Sequence, residues 1–223
     1  MRTILFILLS LSFTGSAIGQ DYIAASVKSA SLKSTINTEY TDLLFFATST
    51  DYNSWYNYAF LADTDRRAQY CREDQTIVAK VDDRKGLVIL KSFDLQRMPE
   101  FAGHPSMKSL AEKYHVDHDV FRLTNLKDIN PNDAPDRADL AFIITFDNYY
   151  SWINNAFNPD SKRRALFADE AKTQVIKVND QQAVVLLYEF DMTRMGEFIS
   201  DDTMNSLIQK YNVTHEAFLM KGI

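Results

Sequence analysis

The 223-residue sequence is poor in cysteine, glycine and proline, with 1, 6 and 5 of each. A single cysteine excludes a disulfide scaffold and a cysteine-based zinc or iron–sulfur site. Few glycines and prolines exclude collagen-like and low-complexity chains. Cys71 is expected to be a small buried residue, the alternative being an intermolecular disulfide. What remains is a folded globular protein, in agreement with 46% hydrophobic and 24% charged residues.

Positive charge is also scarce. There are 24 Lys and Arg against 30 Asp and Glu, so the formal net charge is −6. The chain therefore lacks the basic surface that binding along a nucleic acid or an anionic membrane requires. We expect no nucleic-acid partner.

Long apolar runs are missing as well. The most continuous run, Ile4–Leu11, is far shorter than the roughly 20 residues of a membrane-spanning helix. It follows a positive N-terminus and precedes the small residues Ala17 and Gly19, after which the chain turns polar. This pattern predicts a secretory signal peptide cleaved between Gly19 and Gln20, and hence export to the periplasm or the extracellular space.

The rest of the chain contains an internal duplication. Shifted by 97 residues, 41–123 aligns without a gap to 138–220, with about 36 identities in 83 positions. The intervening segment is rich in Asn, Asp and Pro, as linkers are. The sequence therefore divides into a signal peptide (1–19), an N-terminal leader (20–40), a first repeat (41–123), a linker (124–137) and a second repeat (138–223).

Each repeat has the pattern of two helices and four strands. Apolar β-favouring runs predict strands, and apolar positions three and four apart predict helices. The expected elements of the first repeat are a strand at Leu43–Ala47, a helix from Tyr52, a hairpin of Thr76–Val81 and Leu87–Phe93, a second helix capped by Asp94 and broken at Gly103–Pro105, and a strand at Val116–Leu123. This order, βαββαβ, is that of a ferredoxin-like unit.

Some details of the helices can also be predicted. Asp191 is placed to cap the second repeat's second helix as Asp94 does in the first. Arg97 and Glu100 are spaced to form an ion pair. In the second repeat, Asn158-Pro159 predicts a kink or a restart of the first helix.

The strands are apolar on both faces, for example Leu87–Leu90 and Val184–Leu187. A lone unit would leave one sheet face to water and show polar alternation, so something must cover the second face. The other repeat is tethered nearby and is the expected cover. We therefore expect an α+β protein in which two four-stranded sheets pack face to face as an intramolecular barrel, monomeric and pseudo-dimeric. The alternative is two separate units, each with a homodimer partner.

This pattern resembles the dimeric α/β-barrel superfamily, which includes antibiotic-biosynthesis-monooxygenase-like proteins. The resemblance is carried by the apolar first strand, Trp55 and Phe60 on the first helix, Leu87–Asp94 leading into a helix, and Met107 followed by Lys113–Val116. It implies that two units pair through their sheets. Members include cofactor-free oxygenases, haem-degrading enzymes and a sugar mutarotase, so the fold alone does not define an activity. The catalytic Asn of the haem-degrading members has no counterpart in the first strand of either repeat.

Three pairs of residues at equivalent positions could form a site: two tryptophans, two arginines and two histidines. Trp55 and Trp152 could stack on a flat ligand or a sugar ring, the alternative being core packing. Arg66 and Arg163 are each followed by a second arginine, Arg67 or Arg164, and such a guanidinium pair could hold a carboxylate or phosphate. The alternative is that these arginines are solvated residues at a helix end.

His118 and His215 are the histidines present in both repeats, and either could act as an acid or base near neutral pH. His115, Asp117, His118 and Asp119 together suggest a metal site. On a strand, however, residues 115 and 118 point to opposite faces, and the second repeat has Asn212 and Thr214 in place of the first two ligands. We therefore expect no metal and no cofactor.

Three classes of function fit these observations. The first is an exported protein that binds a small molecule or serves as a structural module. The second is a cofactor-free enzyme on a small molecule, oxygenase-like or sugar-processing, including an accessory role in polysaccharide use. The third is a protein-interaction module of an envelope or extracellular assembly.

Overall fold

The structure, a computed structural model, describes residues 40–130 and 132–223. The predicted signal peptide and leader up to residue 39 lie outside the described residues. Within them, each repeat contributes four strands in the predicted order. These are β1 Tyr40–Thr48, β2 Ile77–Lys80, β3 Lys85–Asp94 and β4 Asp117–Asn125, then β5 Arg137–Thr145, β6 Asp169–Asn179, β7 Gln182–Asp191 and β8 Thr214–Gly222.

The helices follow the same plan in both repeats. A first helical segment links the first two strands, and a second, broken one links the last two. Their α-helical parts are α1 Tyr52–Trp55, α2 Thr64–Arg67, α3 Met98–Gly103 and α4 Pro105–Tyr114 in the first repeat, and α5 Tyr149–Trp152, α6 Ser161–Arg164, α7 Met195–Ile199 and α8 Asp202–Lys210 in the second.

The described strands form one antiparallel sheet in the order β2-β3-β1-β4-β8-β5-β7-β6. The two halves join where β4 pairs with β8, and Leu123 faces its own equivalent, Met220, at the centre of that pairing. The edge strands β2 and β6 come within 8 Å of each other, Cα to Cα. The sheet therefore curls into a nearly closed barrel with a pseudo-two-fold axis between Leu123 and Met220.

This topology confirms the predicted intramolecular barrel of two ferredoxin-like units. The expected arrangement of two separate sheets face to face is wrong in one respect, because β4 and β8 hydrogen-bond into a continuous sheet. Pairing the strands at this edge satisfies backbone groups that two stacked sheets would leave open. The alternative of two independent units does not describe this structure.

Apolar side chains cover both faces of the sheet. A cluster from both repeats, including Leu44, Ile89, Val184 and Leu186, fills the barrel interior. Separate clusters on the outer face pack beneath the helices of the first and of the second repeat. This explains why the strands lack polar alternation.

The first helical segment is irregular in both repeats. After α1 comes a π-helical turn, Tyr56–Phe60, and then a 3₁₀ turn before α2. The second repeat has the same sequence of turns at Ile153–Phe157 and Asn158–Asp160. The interruption predicted at Asn158-Pro159 falls on this 3₁₀ turn, but Pro159 is not required for it, because the first repeat has the same turns without a proline. π-helical turns are rare and often lie at functional sites.

The predicted caps and ion pair are confirmed. The Asp94 side chain accepts a hydrogen bond from Gln96 N, and Asp191 does the same for Thr193 N. The Arg97 guanidinium lies 2.8 Å from the Glu100 carboxylate.

Burial, with the nearby Glu73 charge, raises the pKa of the Cys71 thiol to about 11, so at neutral pH this group is a protonated thiol.

No helix among the described residues is long and apolar enough to cross a membrane.

Candidate functional site

Each repeat contains a cavity between its helices and the outer face of the sheet. The cavity of the first repeat, here the first cavity, has a volume of about 260 Å³. The cavity of the second repeat, the second cavity, has a volume of about 160 Å³. Both lie under the irregular helical segment and are lined mainly by apolar side chains.

The two cavities are built from equivalent positions. Apart from Lys108 in the first cavity and Leu126 in the second, each lining residue has its repeat equivalent in the other cavity, which makes 18 pairs. In the first repeat the paired residues are Phe45, Ala47, Trp55, Ala59, Phe60, Asp63, Arg67, Val88, Leu90, Met98, Phe101, Ala102, Met107, Leu110, Ala111, Val116, His118 and Val120.

The two repeats differ much less at the cavity walls than in the barrel interior. Of the 18 wall pairs, 14 are identical, against 36 of 83 positions for the aligned repeats. In the barrel interior, there are 8 pairs of equivalent positions at which both residues belong to the interior cluster or pack against it. Only 2 of these pairs have the same residue in both repeats. Both regions are apolar and packed, so packing alone does not account for the difference.

Trp55 and Trp152 each form a wall of one cavity and are about 5% exposed. The indole of Trp55 lies over Gly86, where an added Cβ would come within 2.8 Å of the ring. The indole of Trp152 instead stacks on Phe146, with ring centroids 4.7 Å apart. Each tryptophan packs in the core and also lines a cavity, so the prediction of core packing is confirmed and a ligand contact stays a prediction.

His118 and His215 lie on β4 and β8, line the two cavities and are exposed, so each marks the solvent-facing end of its cavity, here called the mouth. Each ring packs beside a phenylalanine of the neighbouring strand, Phe45 at 6.3 Å and Phe142 at 6.1 Å between centroids, and remains exposed on its other side. Desolvation lowers the pKa of both imidazoles below the ordinary value of 6.5, although Asp117 and Asp119 act in the opposite direction on His118. At neutral pH each mouth therefore carries an uncharged imidazole able to accept a proton.

Arg66 and Arg163 are not among the residues that line the cavities. Arg66 binds the chain's own Asp63 through two nitrogens, at 2.7 Å and 2.5 Å, and donates a third hydrogen bond to the carbonyl of Phe101. Arg163 does the same with Asp160 and the carbonyl of Phe198. The bidentate chemistry expected from sequence is present, but it ties the first helical segment to the second. A ligand contact by either arginine stays a prediction.

The second arginine of each Arg-Arg pair, Arg67 or Arg164, does line the cavity, whereas the sequence interpretation singled out the first, Arg66 or Arg163. Arg67 is 3% exposed, lies 3.6 Å from the centre of the Phe60 ring and pairs with Glu73. It also donates to the carbonyl of Phe60 at the end of the π-helical turn. Arg164 repeats each contact with Phe157 and Glu170. The identity of the pair in both repeats was the available signal, but sequence could not tell which arginine points inward.

The described residues contain no group of three or more His, Cys, Asp or Glu side chains arranged to hold a metal ion. Asp63 and Arg67 are charged wall residues of the first cavity, and each is already paired within the chain. Lys108 also lines the first cavity but has no counterpart in the second, so the imidazole at the mouth is the group suited to proton transfer that both cavities share. The arrangement can therefore enclose an apolar molecule and place one neutral base at its exposed end.

No protein-family model matches this chain, and no curated protein does. Solved structures similar to it include an anthrone oxidase-like protein, at 10% identity and a TM-score of 0.32, covering 83% of this chain and 94% of the other. An unknown protein from Galdieria sulphuraria matches at 8% identity and a TM-score of 0.28, covering 81% and 99%.

A ferredoxin-fold protein from Listeria monocytogenes, related to antibiotic biosynthesis monooxygenases, matches at 10% identity and a TM-score of 0.28, covering 82% of this chain and 96% of the other. Overlaps this low add nothing to the strand order described above. That order defines an α+β barrel protein of two fused ferredoxin-like units, whose activity is undetermined.

Proposed function

We propose that each repeat binds one small apolar molecule in its cavity, with the tryptophan as a wall and the histidine at the mouth. The observation that carries this proposal is that the two repeats differ little at the cavity walls and much more in the barrel interior. Of the wall pairs 14 of 18 are identical, whereas in the barrel interior only 2 of 8 are. A ligand held in both repeats would limit change in the walls and not in the interior.

The cavities have the properties of small-molecule sites. They are concave, mainly apolar, and have few polar groups near one end. An apolar cavity of about 150 Å³ stays dry and binds benzene in other proteins. Both cavities reach this size, at about 160 and 260 Å³.

An enzyme that moves a proton on the bound molecule is the second candidate. It is favoured by the neutral imidazoles of His118 and His215, which occupy the same place at both mouths. A base must lie within hydrogen-bond reach of the proton that it removes, so only a ligand that extends to the mouth would be a substrate.

The binding proposal is tested with benzene and fluorine NMR on protein labelled with fluorotryptophan. The chain has two tryptophans, one in each cavity wall, so each cavity has its own reporter. Trp55→Phe and Trp152→Phe assign the two resonances. We expect benzene to shift both resonances in a saturable way.

Matched alanine variants locate the binding. Ala59→Leu and Ala156→Leu fill the first and the second cavity from buried wall positions, and each should abolish the shift of its own tryptophan only. Ala171→Leu, at an exposed position on β6, is the control and should change neither. Shifts that do not saturate, or that survive both filled cavities, would reject the proposal.

We further propose that the protein is exported, on the strength of the apolar run Ile4–Leu11 and the small residues Ala17 and Gly19. N-terminal sequencing of the protein recovered outside the cytoplasm of its own host should begin at Gln20. A sequence that begins at Met1 in all fractions would contradict this.

A further inference from the structure

The two cavities differ at only 4 of their 18 paired positions, and the differences follow a pattern. Three alanines of the first cavity, Ala47, Ala102 and Ala111, are isoleucines in the second. From this we infer that the cavities take apolar ligands of different size: a fused two-ring molecule in the first and a single ring in the second. The inference rests on the proposed function and adds to it the class of ligand that each repeat accepts.

The three replacements surround the cavity. Ala47 lies on β1 in the sheet, Ala102 on α3 and Ala111 on α4, so the equivalent isoleucines narrow the second cavity from the sheet and from both parts of the second helical segment. All three isoleucines are half-buried and line the second cavity. Each isoleucine has a branched side chain where the equivalent alanine has a single methyl group.

The remaining differences do not reverse this pattern. Val120 becomes Ala217, which returns a little space to the second cavity. Leu126, from the short turn after β4, adds a further apolar wall to the second cavity, while the first has Lys108 among its lining residues. The second cavity is therefore both narrower and more completely apolar.

The three replacements set the order of ligand size, and the volumes give its scale. The second cavity, at about 160 Å³, is close to the apolar cavities of about 150 Å³ that bind benzene. The first, at about 260 Å³, has room for a second fused ring. Adding atoms to a filled site forces neighbouring side chains off their rotamers, so a two-ring molecule should be rejected by the second cavity.

The test compares benzene with naphthalene on the fluorotryptophan-labelled wild-type protein. We expect benzene to shift the resonances of both Trp55 and Trp152. Naphthalene should bind at Trp55 at least about tenfold more tightly than at Trp152, a ratio that corresponds to about 1.4 kcal/mol.

Reciprocal exchanges locate the cause. Ala111→Ile in the first cavity should weaken naphthalene at Trp55 severalfold, and Ile208→Ala in the second should strengthen it at Trp152. The triple variants A47I/A102I/A111I and I144A/I199A/I208A should exchange the preferences more completely. Melting temperatures show which variants remain folded, and the wild-type comparison alone decides the inference if the triple variants do not fold.

Three results have distinct meanings. Selective binding of naphthalene at Trp55 with benzene at both sites supports the inference. Equal binding of naphthalene at both tryptophans overturns it and leaves the proposed function standing. Failure of benzene and naphthalene to bind at either tryptophan overturns the proposed function and the inference together.

Discussion

Replacement of Arg67 by alanine is expected to lower the free energy of unfolding by about 3–5 kcal/mol, the cost of breaking a buried ion pair by removing one partner. The Arg67 side chain is 4% exposed and that of Glu73 16%, so the carboxylate would be left with little water to replace the guanidinium. The variant also loses the hydrogen bond to the carbonyl of Phe60 and the packing on that ring. Chemical denaturation of wild type and variant measures the difference.

A nearby arginine is the control. Arg72 pairs with Asp74 at 3.6 Å, and their side chains are 57% and 71% exposed. Solvent screens such pairs, so Arg72→Ala should cost at most about 1 kcal/mol. Equal losses for Arg67→Ala and Arg72→Ala would show that the pair is not buried as described.

A second variant separates charge from packing. Arg67→Met with Glu73→Leu removes both charges and keeps apolar volume, so we expect it to recover much of the stability lost in Arg67→Ala. The same comparison applies to Arg164 and Glu170, whose contacts repeat those of the first repeat. If the double variant is as unstable as the single one, the lost hydrogen bond to Phe60 outweighs the stranded charge.

A protein consisting of residues 41–123 alone is expected to self-associate or to aggregate. Its share of the barrel interior includes Leu44, Phe46, Leu87, Ile89 and Leu123, which the second repeat covers in the intact chain. Burial of each such side chain is worth about 1.5–3 kcal/mol. Together they equal the whole net stability of an ordinary domain, about 5–15 kcal/mol.

Light scattering and circular dichroism test this expectation. The control is the chain from residue 20 to residue 223, which we expect to be a folded monomer. An equimolar mixture of 41–123 and 138–223 should form a one-to-one complex, because each half supplies the strand that pairs at the junction of β4 and β8. A folded, monomeric 41–123 would contradict the role of the shared interior.

Much of the fold could be predicted from the sequence. The duplication defined two equal units, and apolar patterning located the strands to within a few residues, as for Leu43–Ala47 inside β1. Strands apolar on both faces predicted the shared barrel. The continuous sheet could not be predicted, because pairing at an edge depends on backbone hydrogen bonds that leave no mark on side-chain pattern.

The site was predicted less completely. Trp55, Trp152, His118 and His215 line the cavities, whereas Arg66 and Arg163 bind aspartates of their own helical segment. Adjacent residues on a helix point about 100° apart, so which arginine faces inward depends on the exact helical phase. The π-helical turn shifts that phase, and the sequence pattern did not reveal the turn.

The sequence by itself determined the number of units, the order of their elements and the residue types that both repeats share. These are local properties, set by periodicity, turn chemistry and identity at a constant spacing. Only the tertiary structure decided that 14 of the identical pairs surround two cavities and that three Ala-to-Ile differences face the same space. The physical reason is that a cavity is formed by side chains from four or more elements far apart in the chain, and their convergence depends on how the helices pack on the sheet.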